Sequence, residues 1–449
     1  MTAGAHENWS SRFGFLMAAI GFAVGLGNIW RFPYVTGENG GGAFVLVYLI
    51  CVFCIGVPIL MAEIFIGRRG RLSPPGSMRV VAEREGRSPR WQWVGGMNLL
   101  AAFLIEVVYC VIAGWVLWFL YKAIVTGFAG VGPEAATADF EAMLADVPGM
   151  LFWTLLGLTL TGIIIYAGVQ NGIERAVRVM MPTLFVLLIL LVIYNAFAGG
   201  LDAAAAYLLT ADFSKISGPM VLAAIGQAFF SVGVAMAGMM TFGAYLPRDI
   251  SISRSVLIIV TADTLVALIA GFVIFPAVFK FGLDPAAGAG LIFQTLPVAF
   301  AQMPGGHIVS VLFFLLLSVA AITSMVGLIE PQTAWLEEHR GFARHRSAVL
   351  VIAVIGVLSV LSILSYNAFA YWQMFGKNLN GLVDYLANNI LLPLGGLLIA
   401  VFAGWKVSRD SARDELNLNS AAAFALWRLA IRYLVPPALA VILVFGLTG

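Results

Sequence analysis

Gly21-Phe22-Ala23-Val24-Gly25-Leu26-Gly27-Asn28 interrupts an apolar run over 12–37, and Ser231-Val232-Gly233-Val234-Ala235-Met236-Ala237-Gly238 interrupts another over 217–245. Glycine costs about 1 kcal/mol in a helix interior, so several of them at mid-run favour local unwinding of an otherwise helical span. Runs of about 20 apolar residues are what a helix needs to cross a bilayer. Working outward, the chain carries eleven: 12–37, 41–67, 92–121, 151–169, 176–198, 217–245, 252–281, 307–335, 347–366, 375–404 and 430–447. Composition agrees, because 61% of the 449 residues are hydrophobic and only 11% are charged. Soluble domains carry roughly 25% charge, and this chain has too little to cover a wetted surface. The net charge of +2 and the short polar runs exclude a basic nucleic-acid binder and a disordered chain. The expected fold is an all-α polytopic membrane protein.

Cys51, Cys54 and Cys110 lie inside apolar runs, and no second pair or histidine cluster joins them. Core-facing thiols are expected, not a disulfide framework or a metal site. The first span runs into a glycine-rich break where a cleavable signal would have a small-residue cleavage site, so no such signal is expected. With a cytoplasmic N-terminus, 20 of the 25 basic residues fall on the inner side, leaving Arg31, Lys122, Lys215, Lys280 and Lys377 outside. That bias fixes the expected orientation, and an odd span count puts the C-terminus outside. Five spans open at each interruption, which inverts the second set relative to the first. Broken helices at matching places in inverted halves point to a secondary transporter with its site at the midplane. Close helix packing through the same glycines is the alternative.

Trp9-Ser-Ser-Arg12-Phe-Gly, Ala23-Val-Gly-Leu-Gly-Asn28-Ile-Trp-Arg31-Phe-Pro33-Tyr and Glu38-Asn-Gly-Gly-Gly-Ala-Phe44 resemble the opening of the neurotransmitter:sodium symporter family. Gly56-Val-Pro58, Glu63, Gly67-Arg68, Gly226-Gln-Ala-Phe-Phe-Ser231 and Thr323-Ser324 extend the resemblance, which covers about residues 9–404. It implies a LeuT-type fold: one transmembrane domain over 1–449, with a 5+5 inverted repeat (about 12–198 and 217–404) and an extra helix near 430–447. Helices 1 and 6 would be unwound at mid-membrane. It implies Na+-coupled amino-acid or amine transport, not catalysis.

Two Na+ sites follow from the resemblance. One would use the Ala23 carbonyl, Asn28, Ser231, Asp263 and the substrate carboxylate. The other would use the Gly21, Val24 and Ala320 carbonyls with the Thr323 and Ser324 hydroxyls. Oxygen donors suit this hard cation, and unwound helices free carbonyls to supply them. Asp263 sits in an apolar run, where a carboxylate costs roughly 2.5–3.5 kcal/mol or more. Chloride-dependent relatives have Asn there and Ser four residues on, whereas this chain has Asp263 and Ala267, so no chloride is expected.

The half-helix beginning at Leu26 and Gly27 points N–H groups and a positive dipole end at a substrate carboxylate, with the Tyr109 hydroxyl completing its binding. Gly25 stands where monoamine carriers place an aspartate. Phe22, Ile105, Phe230, Gly233, Met236, Ser324 and Leu328 would line an apolar side-chain pocket, with Gly233 leaving space and Phe22 favouring a compact substrate. Arg31 and Asp384 resemble the outer charged gate, above a lid of Tyr109 and Phe230. Trp9, Tyr245 and Glu338 resemble the inner one, with His6 in place of the usual arginine. Histidine titrates near pH 6.5, so a weaker, pH-sensitive inner gate is expected. Residues 284–306 read as a re-entrant outer lid. Glu63 and Glu330 read as carboxylates that bond unwound backbone; Glu106, mid-span, matches no family role.

The expected function is Na+-coupled symport of a neutral hydrophobic amino acid across the inner (plasma) membrane by alternating access. A taurine- or GABA-like zwitterion is the alternative substrate, and a channel or solute-sensing receptor on the same fold the alternative function. The expected partners are the substrate and the lipid bilayer, with no nucleic acid, in a monomer or weak dimer.

Overall fold

The computed structural model describes residues 7–285, 290–418 and 420–448. His6 therefore lies outside the described residues. The first crossing is a bent pair, α1 (Arg12–Ala23) and α2 (Gly27–Glu38), turned by 47° at the break. Four continuous spans follow: α3 (Gly42–Gly70), α4 (Pro89–Val125), α5 (Val147–Tyr166) and α6 (Val169–Ala198). The sixth crossing is again two pieces, α7 (Gly218–Ser231) and α8 (Gly238–Ala244). Then come α9 (Ile252–Lys280), α10 (Gly306–Arg340), α11 (Arg344–Leu364), α12 (Leu379–Lys406) and α13 (Ala421–Leu447). Nine continuous spans and two broken ones make the expected eleven among the described residues.

Several boundaries differ from the sequence reading by a few residues, and the fifth span begins at Val169 rather than 176. The tenth span begins at Leu379, because 365–378 forms turns outside it, and the last begins at Ala421, well before 430. Arg428 lies in the added turns and lowers their hydropathy; Arg432, further along, donates to the Gly404 carbonyl at 2.5 Å.

Five wide turns, in which the helix takes an extra residue, stand two residues ahead of a proline: Gly27–Arg31 before Pro33, Val52–Gly56 before Pro58, Leu291–Thr295 before Pro297, Tyr385–Leu391 before Pro393, and Ala430–Leu434 before Pro436. Proline lacks an N–H, and its ring crowds the carbonyl four residues back, so the preceding turn widens.

The core is built on α4 and α10, each two-thirds buried along its apolar window at 67%, whereas α13 is only 28% buried and lies at the periphery against α12. α1 packs on α6, α9 and α10, and α8 packs on α3. Among the thiols, Cys51 and Cys110 are buried as expected, but Cys54 is exposed on the outside of the bundle.

Candidate functional site

The break in the sixth crossing is held by alternating left-handed residues: Gly233 (φ 67°), Ala235 (φ 61°) and Ala237 (φ 62°). Each alanine there costs roughly 1–2 kcal/mol, so something must fix the path. Glu63 of α3 does so by accepting the Ala235 N–H at 2.6 Å, as the sequence suggested. In the first break Val24 is extended (ψ 91°), and the Gly25 N–H donates to Asn28 Oδ1 at 3.3 Å. The Gln227 amide of α7 donates to the Gly27 carbonyl at 2.9 Å, tying the two breaks together. Gln227 lies inside the Gly226–Ser231 motif, but nothing in its spacing assigned it this bond.

Beside the breaks is a polar cluster. The Asn28 amide donates to Asp263 Oδ1 at 2.8 Å, to the Asp263 carbonyl at 3.0 Å and to Ser231 Oγ at 3.0 Å. Ser231 Oγ donates to Asp263 Oδ2 at 2.7 Å, and the Tyr48 hydroxyl reaches Ser231 at 3.3 Å. Asp263 is fully buried, without an ion-pair partner among the described residues. Tyr48 is the member that sequence reading missed. A second group gathers across α1: Ser324 Oγ lies 3.3 Å from the Phe22 carbonyl and 3.5 Å from that of Gly21, and Thr323 Oγ1 donates to the Ala320 carbonyl at 3.0 Å. Both groups are rich in oxygen and contain one carboxylate between them. No cluster of three or more His, Cys, Asp or Glu exists among the described residues, so the chemistry suits a hard monovalent cation rather than a transition metal.

Between the groups lies a cavity of about 30 Å³ lined by all eleven residues expected around the substrate, namely Phe22, Gly25, Leu26, Gly27, Ile105, Tyr109, Phe230, Gly233, Met236, Ser324 and Leu328, together with Ala23. The Tyr109 hydroxyl accepts the Leu26 N–H at 3.4 Å. A Cβ at Gly25 would collide with Ser324 Oγ and stand 3.2 Å from the Tyr109 hydroxyl. The expected space at Gly233 is not open: a Cβ there would stand 2.9 Å from the Phe22 ring. That ring also fills the hollows beside Gly238 and Gly327 and meets Phe242 edge-on at 6.0 Å. Three positions without side chains thus make room for one phenyl group.

Above this cavity is a second, of about 220 Å³, lined among others by Trp30, Arg31, Tyr34, Asp384 and Asn388. The two share Leu26, Gly27, Ile105, Tyr109 and Phe230, so Tyr109 and Phe230 form the partition. Arg31 and Asp384 face this same space without pairing. The guanidinium lies over the Phe230 ring at 4.5 Å, and Asp384 accepts from Asn388 at 2.6 Å. In the expected outer lid, Leu291–Gln302 places Phe293 against Trp30, Trp115 and Phe140.

The inner end is plugged. Trp9 is 3% exposed; its indole donates to the Phe242 carbonyl at 2.9 Å, and its backbone N–H donates to the Tyr245 carbonyl at 3.2 Å. Ser10 and Ser11 donate to Glu174 of α6 at 2.6 and 2.7 Å. Tyr245 donates to Glu330 at 2.8 Å, and Glu330 forms a two-pronged ion pair with Arg344 at 2.7 and 2.5 Å. Two expectations change here. Glu330 holds Arg344, not unwound backbone, because the basic start of α11 folds back onto it. Glu338 takes no part in the Trp9–Tyr245 contacts: it accepts the Ser73 N–H at 2.6 Å at the start of the short helix Pro74–Arg84, which its own charge favours.

The family model described as the sodium:neurotransmitter symporter family matches residues 6–130 and 139–449. The chain belongs to this family. A sodium-dependent transporter of Bacillus subtilis (strain 168), YhdH, is 35% identical over 444 residues, covering 97% of this chain and 96% of its own. A sodium-dependent transporter of Haemophilus influenzae is 34% identical over 450 residues, covering 98% of each. Among solved structures, MhsT in complex with L-phenylalanine superimposes with a TM-score of 0.90 at 40% identity, over 98% of this chain and 99% of that one. The fold is therefore the LeuT type, with its 5+5 inverted repeat and one further helix. The chain is a multi-pass, sodium-dependent membrane transporter and not an enzyme.

Proposed function

We propose that this transporter carries a compact, neutral, hydrophobic amino acid into the cell with Na+, without chloride. The observation that carries the reading is the cavity at the paired helix breaks. Its walls are mostly apolar, and its polar edge is the N-terminus of α2 with the Tyr109 and Ser324 hydroxyls. That edge receives a carboxylate. Position 25 has no room for the aspartate that would hold an amine, which favours a substrate bringing its own carboxylate. The phenylalanine in the MhsT complex supports a neutral hydrophobic amino acid as substrate. The Phe22 ring, filling three glycine hollows, shortens the pocket and selects small branched side chains.

Two Na+ ions complete the proposal. One is held by Ala23, Asn28, Ser231, Asp263 and the substrate carboxylate, the other by Gly21, Val24, Ala320, Thr323 and Ser324. Asn28 presents its nitrogen to Asp263; turning the amide over presents its oxygen to a cation held between them. Asp263 supplies the fixed negative charge that makes an anion unnecessary. Each charge crossing 100 mV yields about 2.3 kcal/mol, enough for accumulation of a zwitterion. The arginine-rich loops support a cytoplasmic N-terminus and an outer C-terminus.

A competition screen of the twenty amino acids, taurine and GABA against labelled valine in proteoliposomes, with and without Na+, tests this. Competition by valine, leucine and alanine, weaker competition by tryptophan, and none by taurine or GABA is the expected pattern. A profile led by taurine or GABA contradicts it.

A further inference from the structure

Among the described residues six acidic side chains are buried, and five of them are answered. Glu63 accepts a backbone N–H, Asp263 accepts from Asn28 and Ser231, Glu174 from Ser10 and Ser11, Glu330 pairs with Arg344, and Glu415 with Arg68. Glu106 is the exception. It is 0% exposed in the middle of α4, and neither carboxyl oxygen has a hydrogen-bond partner.

Among the described residues no counter-charge pairs with it. The titratable groups that face it are Tyr109 and Cys110 of its own helix. α5, packed against α4, contains no charged residue. α11 has charge only at Arg344, His345 and Arg346 at its start, where Arg344 is committed to Glu330. On α10, His307 lies at the outer end, while Glu330, Glu337, Glu338, His339 and Arg340 lie at the inner end. α12 carries Asp384 at its outer end and Lys406 at its last residue. The helix Pro74–Arg84, with Arg79, Glu83 and Arg84, meets α4 at Gly95, eleven residues or about 16 Å from Glu106. An ionised carboxylate with no donor and no cation is among the most costly groups a membrane interior can hold. A proton neutralises it without needing a cavity.

We propose that Glu106 is a proton-binding site of the transport cycle. The geometry that gives it this role is its place on α4: Ile105 beside it and Tyr109 three residues on both line the substrate cavity. It is therefore one helical turn from the place where water enters when the site opens. Only the carboxyl O–H bond forms and breaks, its proton coming from and returning to bulk water. In the closed, dry arrangement the acid is whole; with the cavity wetted it releases the proton, so transport becomes linked to pH through a residue that touches neither substrate nor ion.

The test has two readouts on the full chain in lipid. In infrared difference spectra, the wild type is expected to show the carbonyl stretch of an unbonded carboxylic acid at neutral pH, missing from Glu106→Gln. Identical spectra overturn the proposal. This readout does not depend on what is transported, so it stands or falls separately from the substrate reading. In proteoliposomes, Na+-driven valine uptake is expected to vary several-fold with pH, and Glu106→Gln to flatten that dependence. An unchanged pH profile overturns a role in the cycle. Glu106→Met, of similar length, carries both readouts if the glutamine variant fails to fold.

Discussion

The two ends of the central cavity are built differently. On the inner side Trp9 is fixed by a backbone and an indole hydrogen bond, Ser10 and Ser11 by a carboxylate, and Tyr245 by an ion-paired glutamate. On the outer side the partition is two aromatic rings, with one guanidinium resting on Phe230 and its expected acidic partner bonded elsewhere. The inner end is closed by many directional bonds and the outer end by a few contacts, over a vestibule of about 220 Å³. Opening at the Trp9 end must break a network, whereas opening at the Arg31 end need only turn a ring.

The largest effects should come from the inner network. Arg344→Gln leaves Glu330 buried without its partner, which costs about 3–5 kcal/mol. A marked fall in the Tm of the purified protein is expected, and an unchanged Tm would show that the pair carries no weight. Trp9→Ala removes the plug, a loss of about 3–5 kcal/mol of packing. In a Cys54→Ser background, a thiol placed at Ala244, now buried, should become reactive from the inner side at least tenfold faster. Asp263→Asn acts at the polar cluster between the two ends, where the Na+ site is proposed. Na+-driven uptake is expected to fall tenfold or more, and chloride should not restore it, because Ala267 offers no hydroxyl to an anion. The smallest effect belongs to the outer end: Arg31→Ala gives up a contact worth about 0.5–1 kcal/mol, seen as a change of a few-fold in substrate KM. A larger loss there than for Trp9→Ala would reverse the comparison.

The spans and both breaks were legible in the sequence because hydropathy and mid-span glycines are local signals. The cavity-lining set was legible through the family motif, which carries a three-dimensional arrangement that local physics does not. Contacts between distant elements were not legible. Glu330 reads as bonding backbone because its partner, Arg344, is the first residue of the next helix, and composition does not encode how that helix end packs back. Glu338 was assigned to the gate although the start of Pro74–Arg84, 265 residues away in sequence, claims it. Gly233 was read as empty space, since the size of a void depends on which ring turns into it, and Phe22 does.

The central claim is that Asp263 and its neighbours let Na+, and no anion, drive a compact amino acid inward. Valine accumulation in proteoliposomes under an imposed Na+ gradient, with all chloride replaced by gluconate, tests it most directly. The account predicts accumulation equal to that in chloride and none when choline replaces Na+; loss of uptake in gluconate, or uptake without Na+, would contradict it.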